Sequence, residues 1–385
     1  MNVLPSEPLL VPSTAPATTG GGPVVVAVEA TRLAREVRGI GRYVRALLPR
    51  LVAIRPGVRV RLYAKNARDV AILTAWLETV PELHSHAEVG LVRDMVHSKA
   101  DVFWYPWNVA TPTPRHGAVV VTMHDVVPLA HPDPRWQGTI KNLRWRRRFS
   151  KAAARATLVI ADSAFTADEI HRVLDYPRDR MRVVLLAADD FVVPPSAGDS
   201  AALERLGIHS PFVLAVGAAD RRKNLELVDR AMPGVVAAHP EIVLALAGPR
   251  RAEQVIEQEP AWKRTLGFVT EEELAALYRA AEVLVMPSTY EGFGLPVLEA
   301  MRMGTPVICA RASSLPEVAG DAAAWVDPND AAAVTRAINQ LLSDKQLGAR
   351  MRAASLAQSA RFTWDETARK TMAAFDEAIA IAAIR

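Results

Sequence analysis

The sequence is nearly free of cysteine, since Cys309 is the only one among 385 residues. A single cysteine cannot form a disulfide within the chain, and its place in the apolar run PVICA predicts a buried core residue. We therefore expect a cytoplasmic protein, because disulfides belong to oxidising compartments. No apolar run approaches the roughly 20 residues that a membrane-spanning helix needs. The first 23 residues have no basic start and are interrupted by prolines. We expect a disordered lead there rather than a signal peptide.

Patterns that hold metals or nucleic acids are also missing. No Asp-x-Asp triplet occurs in the sequence, so no carboxylate pair of that kind is available to hold a divalent ion against a diphosphate. We expect no metal site. Zinc fingers and RNA-binding motifs are missing too, and the net charge of +4 is too small to indicate a nucleic-acid partner. This mild excess suits an anionic substrate or a membrane surface.

What the sequence does contain is an alternation of strand and helix patterns. Half of its residues are hydrophobic, and a single core stops growing at roughly 250–300 residues, so the length predicts two domains. Short apolar runs alternate with helical patterns, which indicates parallel sheets covered on both faces. The runs predicted as strands are VVVAVEA, VRVRLYA, DVFWYP, AVVVTM and ATLVIAD, then PFVLAVG, IVLALAG, AAEVLVMPS and PVICA.

A segment rich in Pro, Gly, Ser and Asp separates the two series of strands and is predicted to be a linker. The predicted parts are a lead over 1–23, an α/β domain over 24–190, a linker over 191–204, a second α/β domain over 205–361 and a terminal helix over 362–385.

The stretch TYEGFGLPVLEAMRMGTPV, residues 289–307, places Glu291 and Glu299 around a loop that runs from a strand into a helix. Gly292 and Gly294 carry no Cβ where a ligand can approach the backbone. The helix that follows starts with free N–H groups and the positive end of its dipole, which suits a phosphate. A β-loop-α corner with one capping and one solvated glutamate is the alternative interpretation.

Residues 266–328 closely resemble the C-terminal half of the family-four retaining glycosyltransferases, whose paired-glutamate signature E-x7-E is filled by Glu291 and Glu299. The resemblance extends more weakly over nearly the whole chain, except about the first twenty residues. It implies the α/β GT-B fold, in which two doubly wound Rossmann-like domains face a central cleft. The N-terminal domain then binds the acceptor, the C-terminal domain binds the nucleotide-sugar, and the final helix crosses back to the N-terminal domain.

The resemblance also implies how the donor is held, with no cofactor besides this co-substrate. Glu299 contacts the ribose, and Lys223 with the backbone of Gly292, Phe293, Gly294 and Leu295 contacts the diphosphate. Arg222 supplies a second charge, because Ala218 stands where some members have an arginine; an exposed basic turn is the alternative. Gly248 borders the nucleotide, the backbone at Val269 meets the base, and Glu291 faces the sugar ring.

In the N-terminal half, His124 and Asp125 follow a predicted strand. The resemblance implies that His124 approaches the donor sugar or the acceptor. Asp125 either orients the imidazole or contacts a hydroxyl, and a structural histidine is the alternative. Gly39 and Gly41 form a loop expected to face the phosphate site, although most such pairs only make a tight turn.

Ser163 is expected to touch the donor, whereas a capping box between Thr166 and Glu169 explains those two residues structurally.

The segment KNLRWRRRFSKAAAR, residues 141–155, carries seven basic residues and no acidic one. On a helix, Arg144, Arg148, Lys151 and Arg155 form one stripe. A solvated helix packed through its aromatic side is the plain interpretation. The alternative is peripheral contact with an anionic membrane that carries a lipid-linked acceptor.

The sequence-based function is a metal-independent, retaining glycosyltransferase that uses a nucleotide-sugar. His-Asp together with PSTYEGFGLP resembles bacterial mannosyltransferases of polysaccharide assembly, so GDP-mannose is the first expected donor and a glycan or lipid-linked molecule the acceptor. The alternatives are a GT-B epimerase, a GT-B phosphorylase, or a non-catalytic partner that binds nucleotide-sugars.

Overall fold

The computed structural model describes residues 23–132, 136–191, 198–209, 211–217, 220–249 and 259–384. The first 22 residues of the predicted lead, residues 192–197 of the predicted linker, and Ala218 lie outside these ranges.

The N-terminal half is built on a parallel sheet of seven strands, ordered β3-β2-β1-β4-β5-β6-β7. These strands are β1 (Val25–Glu29), β2 (Arg59–Ala64), β3 (Ala87–Leu91), β4 (Val102–Tyr105), β5 (Ala118–Met123), β6 (Leu158–Ala161) and β7 (Met181–Val183). The helices are α1 (Ile40–Ile54), α2 (Ala67–Glu78), α3 (Val127–Ala130), α4 (Trp136–Arg155) and α5 (Ala164–Leu174), with 3-10 turns at Pro81–Leu83, Val92–His97 and Arg178–Arg180. The strand order reverses between β1 and β4.

The C-terminal half has a parallel sheet of six strands, ordered β10-β9-β8-β11-β12-β13. These strands are β8 (Phe212–Val216), β9 (Val243–Ala247), β10 (Lys263–Gly267), β11 (Val283–Met286), β12 (Val307–Ala310) and β13 (Ala323–Val326). The helices are α6 (Gly198–Arg205), α7 (Leu225–Ala238), α8 (Glu271–Ala280), α9 (Leu295–Arg302), α10 (Leu315–Ala319), α11 (Ala331–Ser343), α12 (Lys345–Ser359) and α13 (Trp364–Ala383), with 3-10 turns at Arg221–Lys223 and Gly320–Ala322.

Every predicted strand is present in these sheets, and the core lies on both of their faces. All six residues of β5 are buried, as are all four of β12, where Cys309 is fully buried. Strands covered on both faces form continuous apolar runs, which is why the pattern predicts them. The strands that the pattern did not predict are β3, β7, β10 and β13, which lie at the edges of the two sheets.

The structure corrects one predicted boundary, at the linker, and shows where the final helix packs. Residues 198–204, predicted as linker, belong to α6, because Ala202 is buried and Asp199 forms an ion pair with Arg279 of α8 at 2.6 Å. The final helix, α13, packs against α1 of the N-terminal half. The helix also packs on the N-terminal sheet, where the ring of Phe375 lies edge-on to Trp104 of β4 at 5.7 Å between centroids. Within the described ranges, no helix has the length and hydropathy that crossing a bilayer requires.

Candidate active site

The predicted donor residues gather where the strand order of the C-terminal sheet reverses. Strands β8 and β11 are neighbours at that point, and ligands of open α/β sheets bind at the carboxyl ends of such strands. Lys223 ends the 3-10 turn that follows β8, and Glu291 lies on the loop that follows β11. The backbone N–H of Thr289 donates to the carbonyl of Arg222 at 2.8 Å, so the two loops are tied together.

Lys223 and Glu291 form a nearly buried ion pair. The ammonium Nζ lies 2.8 Å from Oε1 and 2.9 Å from Oε2 of Glu291, and the two side chains are 16% and 10% exposed. The stem of Lys223 lies over Gly217, where a Cβ would be 3.2 Å from the lysine Cδ. An ammonium has three N–H donors, so one remains for another acceptor. The pair has no net charge, but its ammonium keeps one fixed N–H donor for another acceptor.

Two serines hold the loop that begins at Glu291. Ser313 accepts a hydrogen bond from the N–H of Glu291 at 3.0 Å, and Ser314 donates to the carbonyls of Glu291 (3.0 Å) and Phe293 (2.8 Å). The phenyl ring of Phe293 is buried against Phe362, so only its backbone is available to a ligand.

The amides of this loop are available for an anion. Among the described residues, none accepts a hydrogen bond from the backbone N–H of Gly292, Phe293, Gly294 or Leu295. Leu295 is the first residue of α9, so these N–H groups lie at the positive end of a helix dipole. Unfilled amides at a helix N-terminus are suited to a phosphate.

Arg222 is directed differently from Lys223. Its guanidinium donates from Nη2 to Asp220 at 2.7 Å and from Nε at 3.2 Å. Although partial burial raises the pKa of Asp220, the hydrogen bonds and charge of Arg222 outweigh that effect and lower it. The guanidinium is thus paired within its own turn, and its contact with a diphosphate stays a prediction.

Glu299 lies on α9 with its side chain 13% exposed and is held by two donors. Its Oε1 accepts from Nη1 of Arg42 at 2.9 Å, and its Oε2 accepts from the hydroxyl of Tyr278 at 3.2 Å. Burial raises the pKa of Glu299 to about 7, against the opposing effects of Arg42 and Tyr278. Sequence reasoning missed Arg42, although it stands in the RGIGRY loop beside the glycines that drew attention.

His124 follows β5, and both of its ring nitrogens face oxygen atoms. Nδ1 lies 2.6 Å from the carboxylate of Asp162, and Nε2 lies 2.9 Å from the carbonyl of Pro106. Burial lowers the pKa of His124, but the nearby charge and hydrogen bond of Asp162 outweigh it and raise the pKa. A doubly protonated imidazole donates to both oxygens. In this conformation both ring nitrogens of His124 are engaged, so neither is free to act as a base.

The orienting carboxylate is therefore Asp162 and not Asp125, so the first of the two interpretations of Asp125 is wrong. One oxygen of Asp125 accepts from the N–H of Val127 at 3.2 Å, and its contact with a hydroxyl stays a prediction. Asp162 directly follows β6 and is 1% exposed. An aspartate at the end of a buried strand, beside Ser163, was the signal that sequence reasoning missed.

Ser163 and its neighbours join the two halves of the protein. Ser163 is fully buried and caps α5 by accepting a hydrogen bond from the N–H of Thr166 at 3.0 Å. Since Ser163 is the N-cap and Thr166 lies inside the helix, the predicted capping box between Thr166 and Glu169 is wrong. Both hydroxyls donate to the carbonyl of Gly292, at 2.6 Å from Ser163 and 2.9 Å from Thr166. Ser163 thus contacts the donor loop itself, and a contact with the donor stays a prediction.

A carboxylate from the C-terminal half strengthens this junction. Glu317 of α10 accepts hydrogen bonds from the N–H groups of Ala164 (2.7 Å) and Phe165 (2.8 Å) at the start of α5. A carboxylate at a helix N-terminus is favoured by both the free N–H groups and the dipole. The two halves are closed onto each other at this corner of the cleft.

Two of the predicted glycines are required by close contacts within the protein. A Cβ on Gly292 would lie 2.0 Å from the backbone oxygen of His124, and a Cβ on Gly41 would lie 1.6 Å from that of Glu36. The N-terminal backbone therefore occupies the space that a side chain at Gly292 would need, and contact of the Gly292 amide with a ligand stays a prediction. Gly39 precedes α1. Its loop reaches the other half through Arg38, whose guanidinium lies 4.5 Å from the ring centre of Phe268.

Gly248 and Val269 lie at the ends of neighbouring strands. The N–H of Gly248 donates to the carbonyl of Gly267 at 2.8 Å, which ties the ends of β9 and β10. The side chain of Val269 is 4% exposed, so only its backbone can meet a base. Their contacts with a nucleotide stay predictions.

The basic segment 141–155 forms most of α4, as the periodicity predicts. All seven basic residues are exposed, and none forms an ion pair with another described residue. Phe149 and Ala152 are buried on the opposite side, whereas Ile140 is 58% and Leu143 is 48% exposed. Elsewhere in the described ranges, no cluster of three His, Cys, Asp or Glu side chains is placed to hold a metal ion.

Comparisons with known proteins find relatives over most of the chain. Residues 37–190 match the family model described as Glycosyltransferase Family 4, and residues 198–358 match the one described as Glycosyl transferases group 1. The O-antigen chain mannosyltransferase B of Escherichia coli is 31% identical, over 88% of this chain and 95% of that protein. A D-inositol 3-phosphate glycosyltransferase of Streptomyces scabiei is 30% identical, over 97% of this chain and 90% of that protein.

Solved structures show the same fold at lower identity. Anabaena HepE, crystallised with UDP and glucose, superposes with a TM-score of 0.67 at 19% identity, over 92% of this chain and 99% of that one. Sucrose-phosphate synthase from Thermosynechococcus elongatus superposes with a TM-score of 0.66 at 21% identity, over 92% and 98%. The predicted fold is confirmed, and the chain belongs to the family-four glycosyltransferases, enzymes of the GT-B fold.

Proposed function

We propose that this glycosyltransferase transfers mannose from GDP-mannose to a hydroxyl of a glycan or lipid-linked acceptor in polysaccharide assembly, with retention of configuration and without a metal ion. The observation that carries the proposal is the buried pair of Lys223 and Glu291 beside the unused amides of residues 292–295. Fixed N–H donors and a cation suit a diphosphate. The similarity to an O-antigen mannosyltransferase supports mannose and this class of acceptor.

In the proposed reaction, the bond between the anomeric carbon and the phosphate oxygen breaks, and GDP leaves with the electron pair. The acceptor oxygen bonds to the same face of that carbon, and its proton passes to the leaving phosphate. Lys223 and the loop amides stabilise the charge that develops there, which is where preorganised donors lower the barrier. Glu291 lies beside the sugar, and the bound nitrogens of His124 agree with a reaction that uses no histidine base.

Thermal shift with a panel of nucleotide-sugars tests the donor. A ligand at about 100 times its dissociation constant stabilises the folded protein by about 2.7 kcal/mol. The melting temperature is therefore expected to be higher with GDP-mannose than with UDP-sugars or with GDP alone. A response confined to UDP-sugars would refute GDP-mannose. Proton NMR of the product then shows whether the anomeric configuration of the donor is kept, and an inverted product would refute retention.

Chelation tests metal independence, and the dependence on an acceptor tests the alternative activities. The rate is expected to persist in EDTA; loss in EDTA that Mg²⁺ or Mn²⁺ restores would refute metal independence. Turnover of the donor without an acceptor would instead favour an epimerase, and a requirement for inorganic phosphate would favour a phosphorylase. Donor binding with no transfer to any acceptor would support a non-catalytic partner.

We further propose that the enzyme works at the cytoplasmic face of a membrane, with α4 against anionic lipid. Each basic residue near such a surface contributes about 1 kcal/mol, and the exposed Ile140 and Leu143 add apolar contact. The variant R144Q/R148Q is expected to lose binding to phosphatidylserine vesicles at low salt. The control K345Q/R350Q, on α12 of the other half, keeps it. Equal binding by both variants, or none by the unchanged protein, would refute this contact.

A further inference from the structure

Arg42 connects the two halves of the protein at the carboxylate proposed to bind the donor. It is on the first turn of α1, and its side chain is only 13% exposed. Nη1 donates to Oε1 of Glu299 at 2.9 Å, while Nη2 and Nε donate to the carboxylate of Asp190 at 2.6 and 3.1 Å. All three nitrogens of the guanidinium are thus in use, shared between two carboxylates.

The second partner, Asp190, lies where the chain leaves the N-terminal half. Its Oδ1 also accepts from the indole N–H of Trp364 at 2.6 Å, and the neighbouring Asp189 accepts from the backbone N–H of Trp364 at 2.9 Å. Trp364 is the first residue of α13, where the chain returns to the N-terminal half. Both passages of the chain between the halves therefore meet at the residue that Arg42 binds.

The first partner, Glu299, is held with room for further hydrogen bonds. Arg42 binds one of its oxygens and the hydroxyl of Tyr278 binds the other. Each carboxylate oxygen accepts about two hydrogen bonds, so one acceptor site remains on each for the hydroxyls of a ribose. Phe191 fixes the arrangement, because it lies 4.8 Å below the guanidinium of Arg42 and edge-on to Tyr278 at 5.9 Å.

We propose that Arg42 is a positioning residue for the nucleotide-sugar, which orients the carboxylate of Glu299 and ties it through Asp190 to the crossings between the two halves. This inference rests on the proposed function, in which Glu299 binds the ribose. Since Arg42 and Glu299 belong to opposite halves, separation of the halves withdraws the cation from the carboxylate. Donor affinity and closure of the cleft are thereby coupled.

The groups facing Glu299 predict a pH signature for this role. They are Arg42 from α1, Tyr278 and Glu271 from α8, and Asp190 from the crossing segment. Burial raises the pKa of Glu299 to about 7; Arg42 and Tyr278 oppose this rise, whereas Glu271 and Asp190 add to it. A carboxyl is neutral below its pKa and then accepts fewer hydrogen bonds. Loss of the cation therefore extends the neutral form of Glu299 to higher pH.

The test compares R42Q and R42K with R50Q, using GDP-mannose across a pH series. Arg50 lies on the same helix and pairs with Asp365 of α13 at 2.9 Å, but not with Glu299. R42Q is expected to raise KM for the donor by about 10–100-fold, as when an outer partner that orients a ligand-binding side chain is lost. Its acidic limb of kcat/KM moves upward by about one pH unit or more. R42K keeps the charge, so KM rises less and the limb stays in place. R50Q changes neither.

The outcomes separate this inference from the function on which it rests. If E299Q binds the donor normally, the proposed donor site is wrong. If E299Q binds weakly but R42Q has an unchanged KM, or an impaired R42Q keeps its acidic limb, only the role of Arg42 is overturned. The double variant R42Q/E299Q is expected to be no weaker than E299Q alone, and a further drop of similar size contradicts the coupling. Should R42Q fail to fold, an unchanged KM in R42K overturns the inference.

Discussion

Glu291 and Glu299 belong to one motif, but their partners come from different places. Glu291 binds Lys223 at 2.8 Å, and both residues lie on loops of the C-terminal half. Glu299 binds Arg42 at 2.9 Å, and that arginine comes from the N-terminal half. In the proposed mechanism, separation of the halves would leave the first pair intact and break the second. We therefore call Lys223 and Glu291 the permanent pair, and Arg42 and Glu299 the closure-dependent pair.

Loss of the permanent pair is expected to have the largest effect. Lys223→Ala is expected to lower kcat by about 10²–10³-fold, the usual consequence of removing one preorganised donor to a developing negative charge. Lys263→Ala is the matched control, because Lys263 is similarly buried and also binds a carboxylate, that of Asp229, at 2.7 Å. Steady-state kinetics measure kcat of both variants, and melting curves show whether both are folded. Near-normal turnover in the Lys223 variant would contradict the assignment.

Loss of the closure-dependent pair is expected to have the second-largest effect on activity. Glu299→Ala removes the contact proposed with the ribose. Because the ribose takes no part in bond breaking, a loss of about 10²-fold in kcat/KM is expected mainly in KM. The measurement is the same kinetic series, with titration calorimetry of GDP. A variant with unchanged KM and reduced kcat would place Glu299 at the reacting atoms instead.

The buried pair of His124 and Asp162 offers a third comparison, since it lies wholly in the N-terminal half. Asp162→Asn removes the charge that raises the pKa of His124, so the imidazole loses its second proton at lower pH. Activity is expected to fall by about 10-fold, the lower end for loss of an orienting partner. NMR titration of the imidazole measures the change, with Asp125→Asn as the variant expected to shift it less. An unmoved titration in the Asp162 variant would refute the assignment.

The smallest effect is expected at the junction formed by Glu317. Glu317→Ala removes the carboxylate that accepts from the N–H groups of Ala164 and Phe165, so the free energy of unfolding should fall by about 0.5–2 kcal/mol, as for other lost N-terminal caps. Urea unfolding compares it with Glu241→Ala on an exposed position. Equal stability of the two variants would show that the junction contributes little to the closed arrangement.

The strands show how far pattern reading reaches. Interior strands are predictable because both of their faces are covered, which makes them continuously apolar, as in β5. Edge strands are partly exposed and carry polar residues. Strand β10 reads KRTLG and has no fully buried residue, so no apolar run marks it. The pattern thus identifies the centre of each sheet and misses its rims.

The residues of the candidate site also fall into two groups, those that the sequence reveals and those that it does not. Glu291, Lys223 and Glu299 are recognisable because a short motif and a basic turn each stand in one stretch of sequence. Arg42 and Asp162 are not, because neither belongs to such a motif, and their partners Glu299 and His124 become neighbours only in the folded protein. Only their neighbours in space distinguish an arginine in a glycine loop, or an aspartate after a strand, from surface residues of the same type.

Local periodicity was sufficient, without coordinates, to predict two parallel α/β sheets. The resemblance carried by residues 266–328 was sufficient to predict the GT-B fold and the loop proposed to bind an anion, because these depend on residues close together in the chain. Folding decided which carboxylate holds His124, that the N-terminal backbone approaches Gly292, and that Arg42 charges the site from the opposite half. The first of these contacts forms within the N-terminal sheet and the other two form between the halves. All three join residues distant in the chain, and short-range sequence patterns carry no record of which side chains then meet.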